Sequence, residues 1–157
     1  MKPVAIVTGA SKGIGAAIAR LFAAEGHDLC VGYLTDEAGG AKTVSDCIAA
    51  GARAIAVKVN MADRASVANF FRRAELELGR PDCLINNAGI IGASGRLEAL
   101  PPEALSATFQ TNLFGVVYAM QEAIPRMSRR QGGKGGAIVN MSSVAATLGS
   151  PGEYVHY

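Results

Sequence analysis

Val4-Ala5-Ile6-Val7-Thr8-Gly9-Ala10-Ser11-Lys12-Gly13-Ile14-Gly15 decides the fold. Val4–Val7 is a continuous apolar run of strand length. From Ile14 the apolar positions change to helical spacing, Ile14, Ile18, Leu21 and Phe22, closed by Gly26. A strand, a tight turn and a helix amino terminus together make an anion site. Backbone N–H groups unpaired in the first helical turn, with the positive end of the helix dipole, can hold a pyrophosphate. Glycine is needed there because a Cβ would block the phosphate or forbid the turn. The spacing is Gly9-x-x-x-Gly13-x-Gly15, and no Gly-x-x-x-x-Gly-Lys-Ser/Thr loop occurs in the sequence, which points to a dinucleotide rather than ATP.

Outward from that loop, strand and helix patterns alternate. A strand is expected over 29–34, then a helix over 37–50 whose pattern Gly39 and Gly40 interrupt, then a strand over 54–59. Asp63 is the expected N-cap of a helix with one buried face, Val67, Phe70, Phe71, Ala74 and Leu78, stopped by Gly79 and Pro81. A fourth strand follows at 83–86. Pro102 starts a long helix whose expected buried face is Leu105, Phe109, Leu113, Val116, Met120 and Ile124. Arg126, Arg129 and Arg130 read as its solvated carboxyl end, and 132–136 as a turn into a fifth strand at 137–141. Successive β-α-β units demand right-handed crossovers, hence a doubly wound parallel α/β sheet with its crevice at the carboxyl ends of the strands.

Composition narrows the function. Half of the 157 residues are hydrophobic and the net charge is +2, which argues against disorder and against a strong field for nucleic acid. Cys30, Cys47 and Cys83 have no metal-ligand spacing, so buried reduced thiols are expected and no metal. The first strand begins at once and no apolar run approaches about 18 residues, so a single soluble, cytoplasmic domain without signal peptide or membrane partner is the expectation.

Thr8-Gly9-Ala10-Ser11-Lys12-Gly13-Ile14-Gly15 resembles the cofactor loop of the short-chain dehydrogenase/reductase family. Four further stretches resemble the family in order: Asn86-Asn87-Ala88-Gly89, Thr111-Asn112-Leu113, Asn140-Met141-Ser142-Ser143, and Tyr157, which lies 14 residues after Ser143. The resemblance implies a Rossmann-type three-layer α/β/α fold with five strands in this chain. It also implies a single dinucleotide-binding domain over 1–157 that stops short of the family's complete length. Cofactor contacts would come from Thr8, Gly9, Ser11, Lys12, Gly13, Ile14, Gly15, Tyr33, Asn60, Met61, Asn87, Ala88 and Gly89. By the same resemblance Asn112 distorts its helix and holds a water in the proton path. Ser143 polarises the substrate carbonyl, with Ser142 beside it, and Tyr157 moves the proton. Tyr154 is a rival to Tyr157 by residue type alone, and His156 has no assigned role. A free phenol titrates near pH ~10, so acting at neutral pH needs a shift of about three units, or ~4 kcal/mol. In the family a lysine four residues beyond the tyrosine supplies it, past the last residue of this sequence.

Eighteen residues past Gly15 stands Tyr33, where a carboxylate would bind the 2′-hydroxyl of NAD and repel the 2′-phosphate of NADP. With Lys12 inside the glycine loop, this favours NADP(H), with NAD(H) still possible; Asp36 is the opposing feature, because a slightly longer second strand would bring it to the ribose. Asn60 departs from the family's aspartate at the adenine, but an amide oxygen can still accept a hydrogen bond. The resulting expectation is an oxidoreductase passing a hydride between NADP(H) and a small carbonyl or alcohol substrate; the resemblance further implies a homo-oligomer, tetramer or dimer, formed through the long helix carrying Asn112 and the helix beginning near Tyr157. The alternative is a non-catalytic dinucleotide-binding module or an inactive fragment.

Overall fold

Five strands, β1 (Val4–Val7), β2 (Asp28–Tyr33), β3 (Ala54–Lys58), β4 (Cys83–Asn86) and β5 (Ala137–Asn140), pair in parallel in the order β3-β2-β1-β4-β5. The coordinates are a computed structural model and describe residues 2–149. Among the described residues the strands are connected by α1 (Gly13–Ala24), α2 (Glu37–Ala49), α3 (Arg64–Leu78), α4 (Pro102–Phe109) and α5 (Gly115–Met127), and the short α6 (Ala145–Leu148) follows β5. The chain winds from β1 to β2 and β3, then crosses back to β4 and β5. This change of direction between β1 and β4 opens a crevice at the carboxyl ends of the strands.

Alternate residues of each central strand enter cores on opposite faces of the sheet. Ile6, Cys30 and Leu84 pack with Val67, Phe70 and Phe71 of α3 and with Ala119 and Ala123 of α5. Ala5, Val7, Leu29, Val31 and Ile85 pack with Ala19 and Ala23 of α1 and Cys47 of α2. Burial on both faces is why the strands read as unbroken apolar runs. The expected face of α3 is buried throughout, and the Asp63 side chain accepts from Ala65 N at 2.9 Å as its cap. All three cysteines are buried and reduced, and burial pushes their thiols upward. Among the described residues no helix is long and apolar enough to cross a membrane.

Two helix faces depart from expectation for one reason. On α1 the inward positions are Gly15, Ala16, Ala19 and Ala23, while Ile14 and Leu21 are exposed. On α5 they are Gly115, Ala119, Ala123 and Met127, while Phe109, Leu113 and Ile124 are about half exposed. Both helices lie close to the backbone beneath them, so small side chains fill the centre of the buried face, with Met127 at the end of α5 and Ile18 and Phe22 at the margin of α1. A Cβ on Gly115 would lie 2.7 Å from the Met61 carbonyl oxygen. Moreover, Pro102 does not start one regular helix: a π-helical turn, Gln110–Phe114, joins α4 to α5 and shifts the period on which the expected face was built. Gly39 and Gly40 do not interrupt α2 either, since Gly40 leaves room for the Tyr33 ring, 3.0 Å from where its Cβ would be. Arg126 is not a solvated helix end. It bonds Glu75 at 2.9 Å and Glu122 at 2.7 Å and lies over the Phe71 ring.

At the amino ends of the strands, the buried Asp28 carboxylate accepts from Arg53 N and from Arg53 Nε, both at 2.8 Å. The guanidinium continues to the Leu78 carbonyl at 2.9 Å, so β2, β3 and the end of α3 share one ionic knot. Burial acts to raise the Asp28 pKa, but the Arg53 hydrogen bonds and charge, with Lys2 adding to them, outweigh it and hold the carboxyl below its ordinary value. A depressed carboxylate stabilises the fold above its unfolded-state pKa, and that stability is lost as pH falls through the folded-state pKa. Asp28→Asn should therefore cost about 2 kcal/mol at pH ~7 in urea unfolding. The gap from wild type should narrow once pH is taken below 3.8; a gap independent of pH would contradict the assignment.

Candidate functional site

The end of β1 and the exit of β4 are joined through one side chain. Thr8 is buried, and its Oγ1 accepts from Asn87 N and Ala88 N, both at 3.0 Å, while the hydroxyl donates to the Ile85 carbonyl at 3.4 Å. Asn87 returns the contact: its Nδ2 donates to the carbonyls of Thr8 at 3.0 Å and Gly9 at 2.9 Å. The glycines are needed for different reasons. A Cβ on Gly9 would lie 2.8 Å from Ala88 Cα, and one on Gly15 2.5 Å from both Asn87 Nδ2 and the Gly9 carbonyl oxygen. Gly13 has φ +58 and open space around it, so it is the backbone conformation that favours glycine there.

The amino terminus of α1 is prepared for an anion. Among the described residues no side chain caps it at Lys12, and its first turn has no acidic residue. The neighbouring helices differ: Asp36 caps α2 by accepting from Gly39 N at 2.9 Å, and Asp63 caps α3. In front of α1 lies a cleft of about 450 Å³ that gathers the loops leaving β1, β2, β3 and β4. Of the residues expected at a cofactor, Gly9, Ser11, Lys12, Tyr33, Asn60, Met61, Asn87, Ala88 and Gly89 line it. Thr8 and Gly15 are buried behind the loop, and Gly13 and Ile14 are exposed on it. The walls also include Leu34, Thr35, Val59 and Ile90, which carry no motif and are found only once the strand ends are assembled, and Thr111, from the stretch that carries Asn112. Asp36 lines the same cleft with its carboxylate engaged on α2. Asn60 Oδ1 accepts from Ala62 N at 3.1 Å, which leaves that oxygen one lone pair.

Asn112 lies within the π-helical turn, and both polar atoms of its amide are used on one residue. Its Oδ1 accepts from Ile90 N and its Nδ2 donates to the Ile90 carbonyl, both at 2.8 Å, which clamps the loop after β4 to the turn. Leu113 beside it is half exposed rather than buried. Ser143 is exposed just beyond β5; its Oγ accepts from Ala145 N at 3.2 Å, so the hydroxyl proton remains available to donate. Tyr157, Tyr154 and His156 lie outside the described residues. A second hollow, about 410 Å³, opens at the opposite ends of the strands between Val4, Leu78, Arg80 and Lys134, remote from the glycine loop. Among the described residues no group of three or more His, Cys, Asp or Glu side chains could hold a metal ion.

The model of the short chain dehydrogenase family matches residues 3–157. The chain belongs to that family. The short-chain dehydrogenase fold seen here is shared with a blue fluorescent protein from a metagenomic library, solved in complex with NADPH. That structure superposes with a TM-score of 0.87 at 34% identity, over 98% of this chain and 61% of that one. An uncharacterized oxidoreductase of Escherichia coli, YgfF, is 38% identical over 154 residues, 98% of this chain and 62% of the relative. A 3-oxoacyl-[acyl-carrier-protein] reductase of Staphylococcus aureus, FabG, is 35% identical over 153 residues, 98% of this chain and 61% of the relative. The chain thus spans about three fifths of the length of these short-chain dehydrogenase relatives.

Thr8→Val keeps the shape and removes the acceptor of two backbone N–H groups. It should destabilise the fold by about 2–3 kcal/mol, read by thermal unfolding. An unchanged midpoint would show that the loop holds its position without the hydroxyl.

Proposed function

We propose that this chain is the cofactor-binding part of an NADP(H)-dependent reductase or dehydrogenase that acts on a small carbonyl or alcohol. The observation that carries the reading is the uncapped amino terminus of α1, facing a cleft built from four strand ends. The residues present fit such a cofactor: N–H groups of the first helical turn for the pyrophosphate, open space at Gly13, and Asn60 with the Met61 backbone for the adenine. When bound, the nicotinamide gives or takes the hydride.

For the 2′-phosphate, the reading rests on two features. Tyr33, at the end of β2, is not acidic, and the Asp36 carboxylate serves α2 as its cap. Lys12 stands exposed at the start of α1, where its charge favours a phosphate. The relative solved with NADPH points the same way, and the reductase named for 3-oxoacyl substrates supports carbonyl reduction.

The chain's own groups then divide the chemistry. The Ser143 hydroxyl, already accepting from Ala145 N, donates a hydrogen bond to the substrate carbonyl oxygen and withdraws charge from the carbon. Tyr157 gives that oxygen its proton, or removes it in the oxidative direction. Asn112 holds Ile90 with one bond at each polar atom of its amide, so its part in a proton path is played from a clamped position that leaves one N–H and one lone pair of the amide. Self-association would cover Phe109, Leu113 and Ile124, whose exposed apolar surfaces lie along the helices around Asn112.

With the full-length protein, NADPH should bind more tightly than NADH in a fluorescence titration; equal or reversed affinities would refute the 2′-phosphate assignment. In the same protein Ser143→Ala should lower kcat by about 100-fold or more with NADPH affinity nearly intact. Substantial residual turnover would remove Ser143 from its role. Binding without turnover in the wild type would favour a non-catalytic dinucleotide module.

A further inference from the structure

Among the described residues β5 pairs with β4 alone, in register from Cys83↔Ala137 to Asn86↔Asn140. The bond from Met141 N to the Asn86 carbonyl, 2.9 Å, is the last main-chain link from β5 to β4 before the turn bearing Ser142 and Ser143. At this position a second bond runs between side chains: Asn86 Nδ2 donates to Asn140 Oδ1 at 2.8 Å. Asn86 is 3% exposed, and its own Oδ1 is buried without a partner among the described residues. Such an amide is a burden on stability that an apolar residue, like Leu84 on the same face, would not impose. What the amide adds is direction. The main chain and the side chain of Asn86 both hold the end of β5, three residues before Ser143. Asn140 Nδ2 in turn lies 3.8 Å from Met120 Sδ on α5, the helix continuous with the turn that carries Asn112. The link therefore spans β4, β5 and α5 at the foot of the turn that carries Ser143.

We propose that the Asn86–Asn140 bond positions the Ser142-Ser143 turn, so that Asn86 and Asn140 are positioning residues for the chemistry at Ser143. The inference rests on the reductase reading above. A strand end held from one side can splay, and a displacement near 1 Å at a reacting group is enough to cost a large factor in rate.

The test uses the full-length enzyme. Asn86→Leu and Asn140→Leu should each lower kcat about tenfold or more, with the NADPH dissociation constant and far-UV dichroism as in wild type and the thermal midpoint unchanged or raised. The double variant should be no worse than either single one, because both remove the same bond. Asn140→Asp, which keeps the acceptor for Asn86 Nδ2, should retain most of the activity. Amide exchange followed by mass spectrometry, without substrate, should speed up over 141–145 in both leucine variants. Wild-type exchange and kcat in the leucine variants would overturn the proposal. So would parallel losses of NADPH affinity and thermal midpoint, which indicate a general structural role. If the wild-type enzyme turns over no carbonyl, the reductase reading fails on its own, and the exchange measurement still decides whether the link holds the turn.

Discussion

The hydroxyl of Thr8 is the point on which the rest of the structure turns. Where β1 and β4 diverge, the ladder between them ends, and the N–H groups of Asn87 and Ala88 need an acceptor from outside it. Thr8 provides one atom for both, which fixes where the chain leaves β4 relative to the glycine loop. Gly9 against Ala88 and Gly15 against Asn87 then meet at distances with no slack for a Cβ. Interiors packed this closely transmit displacement rather than absorb it. From Asn87 the chain runs to Ile90, Ile90 is clamped by Asn112, and the turn holding Asn112 leads into Gly115, which rests on Met61 after β3. The walls of the cleft form one connected set of contacts.

How much of this was legible in the chain depended on what kind of force shaped each element. The strands and α3 were readable because bulk hydrophobicity places them: Val67, Phe70 and Phe71 recur at helical spacing and bury large side chains against the sheet. For α1 and α5 the same rule misled. Their most buried residues are mainly glycine and alanine, which allow close approach; Ile18, Phe22 and Met120 pack at the margin of the core, while Ile14, Leu21 and Ile124 sit outside. Apolar periodicity sees large side chains best and so finds the edge of a tightly seated face rather than its centre. The cleft shows the same division. The glycine loop announced itself by spacing, whereas Leu34, Ile90 and Val59 join the walls only through the order of the strands. That Asp36 is a helix cap, and that the Asn112 amide is engaged on Ile90, are facts of partners distant in sequence or hidden in a turn.

The two ends of the sheet carry different burdens. At the amino ends Arg53 gathers Asp28 and the last turn of α3; at the carboxyl ends the glycine loop, the π-helical turn and the loops leaving β2, β3 and β4 surround the cleft. The strands between them are four to six residues long and rigidly paired. Substitutions around Arg53 reset the temperature and acidity the domain withstands while the loops above keep their shape. The opposite end is open to new specificities at positions such as Leu34 and Thr35, which line the cleft outside the Thr8–Asn87 junction. A lineage carrying this domain can adapt to its climate and to its chemistry as two separate problems.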